Sequence, residues 1–326
     1  MPEPPQVTTV NLVADSGFEV GIADLGATIV SLRVPVDDER RDVVLAYDDP
    51  SDYVDDPYYL GATLGRYANR IRGGHFVIEG DHHQLVTQPE HHGHTLHGGP
   101  DGFSRHRFQI DRSPDGRNAT CRFISSHGEG GFPGRLDVAI GYQLLGDSTL
   151  AIDYTATADR KTIVNLSNHA YFNLDGDGGS IRDHELAIFA SRYTPVDATL
   201  IPTGEVSPVE ATPLDLRTAS RLGPVIDATG GLDTNYVIDH GEDDLQHAAR
   251  LVSSRSGLCL DVLTTQPGLQ VFTGQNLQAP FRPFGGVCLE TQNFPDAPNQ
   301  SHFPSATLQA GEIYRQRTVY AFSVLD

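Results

Sequence analysis

From Arg135 the chain alternates. Leu136, Val138, Ile140, Tyr142 and Leu144 fall at every second position. Gly146-Asp147-Ser148 breaks the run, and Leu150, Ile152, Tyr154 and Ala156 resume it. A period of two sends successive side chains to opposite faces of an extended strand. The segment therefore reads as a hairpin with one face turned inward. Similar runs occur at Phe18 to Val34, Arg107 to Ile110, Cys121 to Ile124, Tyr236 to Asp239 and Gly257 to Thr264. Turn clusters divide them, among them Ser113-Pro-Asp-Gly, Asp175-Gly-Asp-Gly-Gly and Gly241-Glu-Asp-Asp. Only short stretches suit a helix, for example Arg217 to Ile226. Many strands with few helices predict an all-β fold, a large antiparallel β-sandwich or barrel. No internal repeat or linker interrupts the 326 residues, so residues 1–326 read as a single domain.

Charge narrows the partners. The formal net charge is −20. A phosphate-backbone binder needs a basic face, and anionic lipid attracts basic segments, so neither nucleic acid nor a membrane surface is expected. Asp outnumbers Glu, and Lys161 is the only lysine against many arginines. Codon bias toward arginine and adaptation to high salt both fit that pattern. Met1-Pro-Glu-Pro-Pro-Gln has neither the positive start nor the apolar run of a signal peptide, and no 18-residue apolar stretch exists. Cys121, Cys259 and Cys288 are far apart and lack CxxC spacing, which suits reduced thiols in a cytoplasmic protein.

Polar groups gather in five places. Gly65-Arg66-Tyr67-Ala68-Asn69-Arg70-Ile71 offers guanidinium forks and an amide to ligand oxygens, or arginines that tie loops to carbonyls. Glu90-His91-His92-Gly93-His94-Thr95-Leu96-His97-Gly98-Gly99 holds four histidines in seven residues. That density invites a metal, yet no His-Glu-x-x-His spacing accompanies it, and a solvated loop is the other reading. The glycines after His97 would let the backbone pass close to a ligand. Asn165-Leu-Ser-Asn-His-Ala-Tyr-Phe-Asn-Leu sets His169 among asparagines and aromatics, which suits a general acid or a hydrogen-bonded core histidine. Gly231-Leu-Asp-Thr-Asn and Thr264-Thr-Gln-Pro-Gly read as polar turns at strand mouths. In Val287-Cys-Leu-Glu-Thr-Gln-Asn-Phe-Pro-Asp-Ala, Glu290 would end an apolar strand as a base, or as a salt-bridged edge residue. No glycine-rich strand-to-helix loop and no Gly-x-Ser-x-Gly elbow appears. The inventory fits acid–base chemistry on a neutral polyol.

Six ordered motifs carry a resemblance that runs nearly end to end. They are Gly61-Ala-Thr-Leu-Gly-Arg-Tyr-Ala-Asn-Arg-Ile, Leu96-His-Gly-Gly, Asn168-His-Ala-Tyr-Phe-Asn-Leu, Ile201-Pro-Thr-Gly-Glu, Thr264-Thr-Gln-Pro-Gly and Leu289-Glu-Thr-Gln-Asn. The chain resembles the aldose 1-epimerase, or galactose mutarotase, family. The resemblance implies a β-sandwich with a cleft for a free monosaccharide and neither metal nor cofactor. It implies Glu290 as general base, His169 as general acid and His97 as an aid at the ring oxygen. Asn69, Arg70, Asp233 and Gln266 would hold sugar hydroxyls. Phe294 departs from the tryptophan of many relatives, which alters an apolar wall and leaves the acid–base pair in place. An epimerase of a phosphorylated hexose, a silent sugar-binding protein of the same fold and a metal hydrolase using the His91–His97 cluster are the alternatives. The expected assembly is a monomer or a homodimer. No role is assigned to His91, His92 or His94. The acidic background is expected to raise the pKa of His169 and help keep it protonated.

Overall fold

The computed structural model describes residues 6–36, 39–239 and 245–325. The start of the N-terminal segment and the Gly241-Glu-Asp-Asp turn lie outside the described residues. Leu136–Leu145 and Thr149–Ala158 form the expected hairpin, antiparallel throughout. Its alternating burial follows the sequence pattern, because one face packs inward while Asp137, Gln143 and Asp153 point away.

This hairpin sits within a nine-stranded sheet. The strand order is Gln109–Arg112, Asn118–Ser125, Leu136–Leu145, Thr149–Ala158, Ile313–Val324, Leu258–Thr264, Gln246–Ser253, Glu185–Ile188 and Ser220–Arg221. A six-stranded sheet runs Tyr171–Phe172, Val287–Gln292, Gly268–Phe272, Asp233–Val237, Arg192–Tyr193 and Ser207–Pro208. A four-stranded sheet runs from Thr9–Val13 to Glu39–Asp42. One cluster of buried side chains draws on all three, including Leu12, Ile29, Ile140, Tyr154, Leu269, Leu289 and Tyr320. Sheet-on-sheet packing of this kind is what an alternating pattern with so few helices requires.

Several boundaries differ from the sequence reading. Phe18 to Val34 is two strands, Glu19–Ala23 and Thr28–Val36, folded back where Gly26 and Ala27 both take positive φ. The helix is Leu222–Thr229, later than Arg217 to Ile226, because Ser220–Arg221 pairs with Glu185–Leu186. Gly230, at φ +79°, ends it by donating to Ile226. Arg107 pairs with Leu25 in an isolated β-bridge ahead of the strand, which begins at Gln109. Asp233-Thr-Asn is the first half of a strand, not a turn, since Asp233–Val237 pairs residue by residue with Gly268–Phe272. Glu290 lies inside its strand, which continues to Gln292.

Candidate active site

Three strands of the six-stranded sheet place the chemistry in one row. Asn235 lies opposite Gln270, and Gln270 opposite Glu290. His169 reaches the same place from the link between Ser167–Asn168 and Tyr171–Phe172, two short strands in different sheets. Asn69, Arg70, His97, His169, Asp233 and Glu290 all line one cavity of about 230 Å³. A larger concavity of about 710 Å³ lies over strands of the nine-stranded sheet and contains no comparable acid–base set. Chemistry therefore singles out the smaller one.

Gln266 is placed elsewhere. Its Nε2 donates to the Leu166 carbonyl at 3.2 Å and the Tyr314 hydroxyl at 3.0 Å, and it borders a separate cavity with Asn293 and Tyr314. The cause is topological. Thr265 to Pro267 carry the chain from the nine-stranded to the six-stranded sheet, so Gln266 ties that crossing together. The glutamine beside the acid–base row is Gln270, whose Nε2 donates to Asp233 Oδ1 at 2.5 Å. Its signal was a polar residue between the core positions Leu269 and Val271.

His97 is oriented by backbone. Its N–H donates to the Asn69 carbonyl at 3.0 Å, and its Nδ1 accepts from the Asn69 N–H at 3.1 Å. The neutral ring therefore carries its proton on Nε2 and is a donor there. Asn69 and His97 both adopt positive φ, at +65° and +51°. Gly98 serves this turn in a way the sequence did not show. A Cβ at Gly98 would lie 2.0 Å from the Gly65 carbonyl oxygen, so the close approach is to backbone, not to a ligand. Tyr59 was missed by sequence, and its ring lies edge-on to His97 at 4.7 Å.

Glu290 and His169 face each other, with Oε1 3.6 Å from Nε2. That is an ion-pair distance, too long for a hydrogen bond. Glu290 Oε2 is buried without a partner. Burial pushes Glu290 well above the usual carboxylate range, and the nearby Asp233 adds to it. Burial also pushes His169 down to about 4. The expectation that the acidic background keeps His169 protonated is thus reversed. Tyr59, His97, Tyr171 and Phe272 surround the imidazole, and loss of water outweighs a distant field. His97 is driven well below the usual histidine range, chiefly by burial and then by His169 and Arg70.

His97, His169 and Glu290 each offer one atom within 4.8 Å of the others, a spacing that would admit a metal ion. The hydrogen bonds argue otherwise. A histidine that binds metal normally donates its other ring N–H outward. His97 instead accepts at Nδ1, so Nε2 holds a proton where a lone pair would be needed. The set suits proton transfer and hydroxyl recognition better than a cation.

The remaining motif residues have structural work. All five N–H groups of the buried Arg66 are engaged, by Ser125 Oγ and by the carbonyls of Ser125, Ser126, Pro133 and Gly134. Arg72 faces Asp197 and Asp296. His91 lines the cavity, while His94 bridges Gly73 and Thr199.

Residues 8–321 match the family described as Aldose 1-epimerase. The chain belongs to the aldose 1-epimerase family. It is 41% identical to a human galactose mutarotase over 321 residues, 94% of this chain and 92% of that protein. It is 35% identical to an aldose 1-epimerase of Escherichia coli K12 over 324 residues, 94% and 93% of the two chains. Among solved structures, a GalM/aldose epimerase homologue from C. elegans superposes with TM-score 0.92 at 27% identity, covering 98% of this chain and all of the other. A galactose 1-epimerase from Lactobacillus acidophilus gives 0.87 at 25% identity, with 98% and 95% covered. Fold and family agree over nearly the whole described length.

Proposed function

We propose that the cavity binds one free aldose and interconverts its α and β anomers. The carrying observation is the facing pair, Glu290 Oε1 and His169 Nε2 at 3.6 Å, buried in a cavity of monosaccharide scale. Between the His169 and Glu290 pKa values the pair holds one proton. It rests on the carboxyl, because burial disfavours both charges. Sugar hydroxyls bring Glu290 the hydrogen bonds its Oε2 lacks, Arg70 favours the carboxylate, and the proton passes to His169.

Glu290 then takes the proton from the anomeric hydroxyl while His169 protonates the ring oxygen. The ring C–O bond breaks as the anomeric carbonyl forms. The aldehyde turns about its bond to the next carbon, and the ring hydroxyl attacks the other face. Both protons return to their donors. His97 donates from Nε2 toward the ring oxygen, which eases bond breaking. Asn69, Arg70 and Asp233 hold the remaining hydroxyls, with Gln270 steadying Asp233.

A phosphorylated sugar fits less well. Arg70 is the one guanidinium lining this cavity among the described residues, and it already sits 3.8 Å from Asp233. Arg66 has no free donor. A dianion wants several unspent cations. The reading makes residues 1–326 one cytoplasmic catalytic domain, a monomer or homodimer, with a monosaccharide as its partner and no nucleic acid or membrane. The net charge of −20 and three free cysteines support it. No helix of the described residues is long and apolar enough to cross a membrane.

Polarimetry on fresh α-aldoses tests the roles. Glu290→Gln and His169→Asn should each slow anomer interconversion by on the order of 10²–10⁴, while calorimetry still detects sugar. Full activity in both would remove the proposed acid and base.

A further inference from the structure

We infer that Leu200, presented on a pinned loop, is the specificity wall of the cavity. It seats against an apolar edge of the sugar and rejects polar or bulky substituents there. This rests on reading the cavity as an aldose site.

Leu200 lines the same cavity as Glu290 and His169, yet comes from a loop that supplies no acid, base or hydroxyl ligand. It is half-buried, and its φ is +65°. A branched side chain rarely holds that conformation, and surrounding bonds must over-determine it. They do. Asp197 Oδ1 accepts from the Thr199 N–H at 2.8 Å, the Thr199 hydroxyl at 2.6 Å and the Ile201 N–H at 3.2 Å. The Leu200 N–H donates to the Asp197 carbonyl at 3.0 Å, and the Asp197 N–H to the Ile201 carbonyl at 2.8 Å. Val196 and Pro202 close the loop as a bridge.

The loop is also fastened to the segment that carries the sugar-facing Asn69 and Arg70. His94 Nδ1 accepts from the Gly73 N–H at 3.0 Å, which leaves the ring proton on Nε2. That nitrogen lies 3.0 Å from the Thr199 hydroxyl, whose own proton goes to Asp197. Arg72 adds a bond to the Pro202 carbonyl and an ion pair with Asp197. His94, without a role in the motifs, becomes the pin between two walls.

A pinned aliphatic wall has a chemical consequence. It accepts C–H groups, but a hydroxyl turned toward it loses water and finds no partner. Around it Asn69, Arg70, His91 and Asp233 offer hydrogen bonds, so the wall distinguishes one direction across the ring from the others. Because the loop cannot give, a substituent that collides there is excluded rather than accommodated. Neutral, unmodified aldoses are the class that fits.

Leu200→Gly removes the wall and suits the positive φ, and Leu200→Asn puts a polar group there with a residue that tolerates it. Both are measured against D-galactose, D-glucose, D-xylose and N-acetyl-D-glucosamine, by polarimetry for kcat/KM and calorimetry for Kd. In Leu200→Gly the spread between best and worst sugar should narrow by about tenfold or more. His94→Leu, which cuts the pin, should narrow it in the same direction. Ratios within twofold of wild type in both Leu200 variants would overturn the inference. Wild-type binding without turnover would sink the catalytic reading alone, because the Kd ratios still judge the wall. No binding of any of the four sugars would sink both.

Discussion

Replacing Arg66 by lysine separates a scaffold arginine from a sugar-binding one. Arg66 is 2% exposed, and its guanidinium meets five acceptors at 2.7–3.0 Å. Burial pushes its pKa down to about 10, so it remains charged near neutral pH. An ammonium has three donors, so at least two acceptors would lose their partner. A buried acceptor left unpaired costs about 1–3 kcal/mol, which puts the loss for two at roughly 2–6 kcal/mol. For 326 residues the unfolding entropy per residue converts that into a fall of roughly 3–9 °C in Tm. Thermal melting by circular dichroism reads the fall, and polarimetry on the folded protein should find kcat/KM within about threefold of wild type. A Tm lowered by less than about 1 °C together with lost turnover would refute the reasoning and return Arg66 to the ligand.

Acid should unfold the protein partly through its buried histidines. Unfolded His169 takes up a proton below pH 6.5, while the folded ring resists until about 4, so stability present above pH 6.5 is lost across that window. At pH 4 this amounts to about 3 kcal/mol for His169. Urea unfolding of His169→Gln at pH 7 and pH 4 should show a correspondingly smaller loss than wild type, and equal losses would contradict it. The two glutamines should part company: Gln270→Ala is expected to raise KM by about tenfold by releasing Asp233, whereas Gln266→Ala is expected to cost about 1–2 kcal/mol of stability with KM nearly unchanged. Steady-state kinetics with melting curves would show the reverse pattern if Gln266 were the binder.

What the residues announce is local, and what they hide is long-range. Alternation in Leu136 to Ala156 needs no tertiary knowledge, so that hairpin is legible directly. His97 and Glu290 stand out because each puts a titratable group into a glycine-rich or apolar run, and His169 because it is a titratable group among asparagines and aromatics. Gln266 drew attention as part of a turn motif, but a turn between sheets points wherever the crossing sends it. Gln270 shows in sequence only as a polar residue between Leu269 and Val271, and its significance, standing opposite Glu290 and Asn235, comes from register. His94 joins residues on either side, one 105 positions away, and no spacing rule reveals such a bridge. The His169 shift shows the same divide. Net charge is a sum over the sequence, whereas desolvation belongs to the ring's neighbours.

The long-range hydrogen bonds of the buried Tyr67 have a kinetic implication. Tyr67 donates to the Phe294 carbonyl at 2.8 Å, across 227 residues. Its oxygen also receives the Ala297 N–H at 3.1 Å. Asn293 donates to Asn165 over a separation of 128. Closing such large loops is slow, and hairpins such as Leu136 to Ala158 form long before. During refolding, strand signal should therefore recover ahead of turnover. Mutarotation would then report a late step in folding, because the site needs Asn69 and His97 from the first third of the chain, His169 from its middle and Glu290 from its last part.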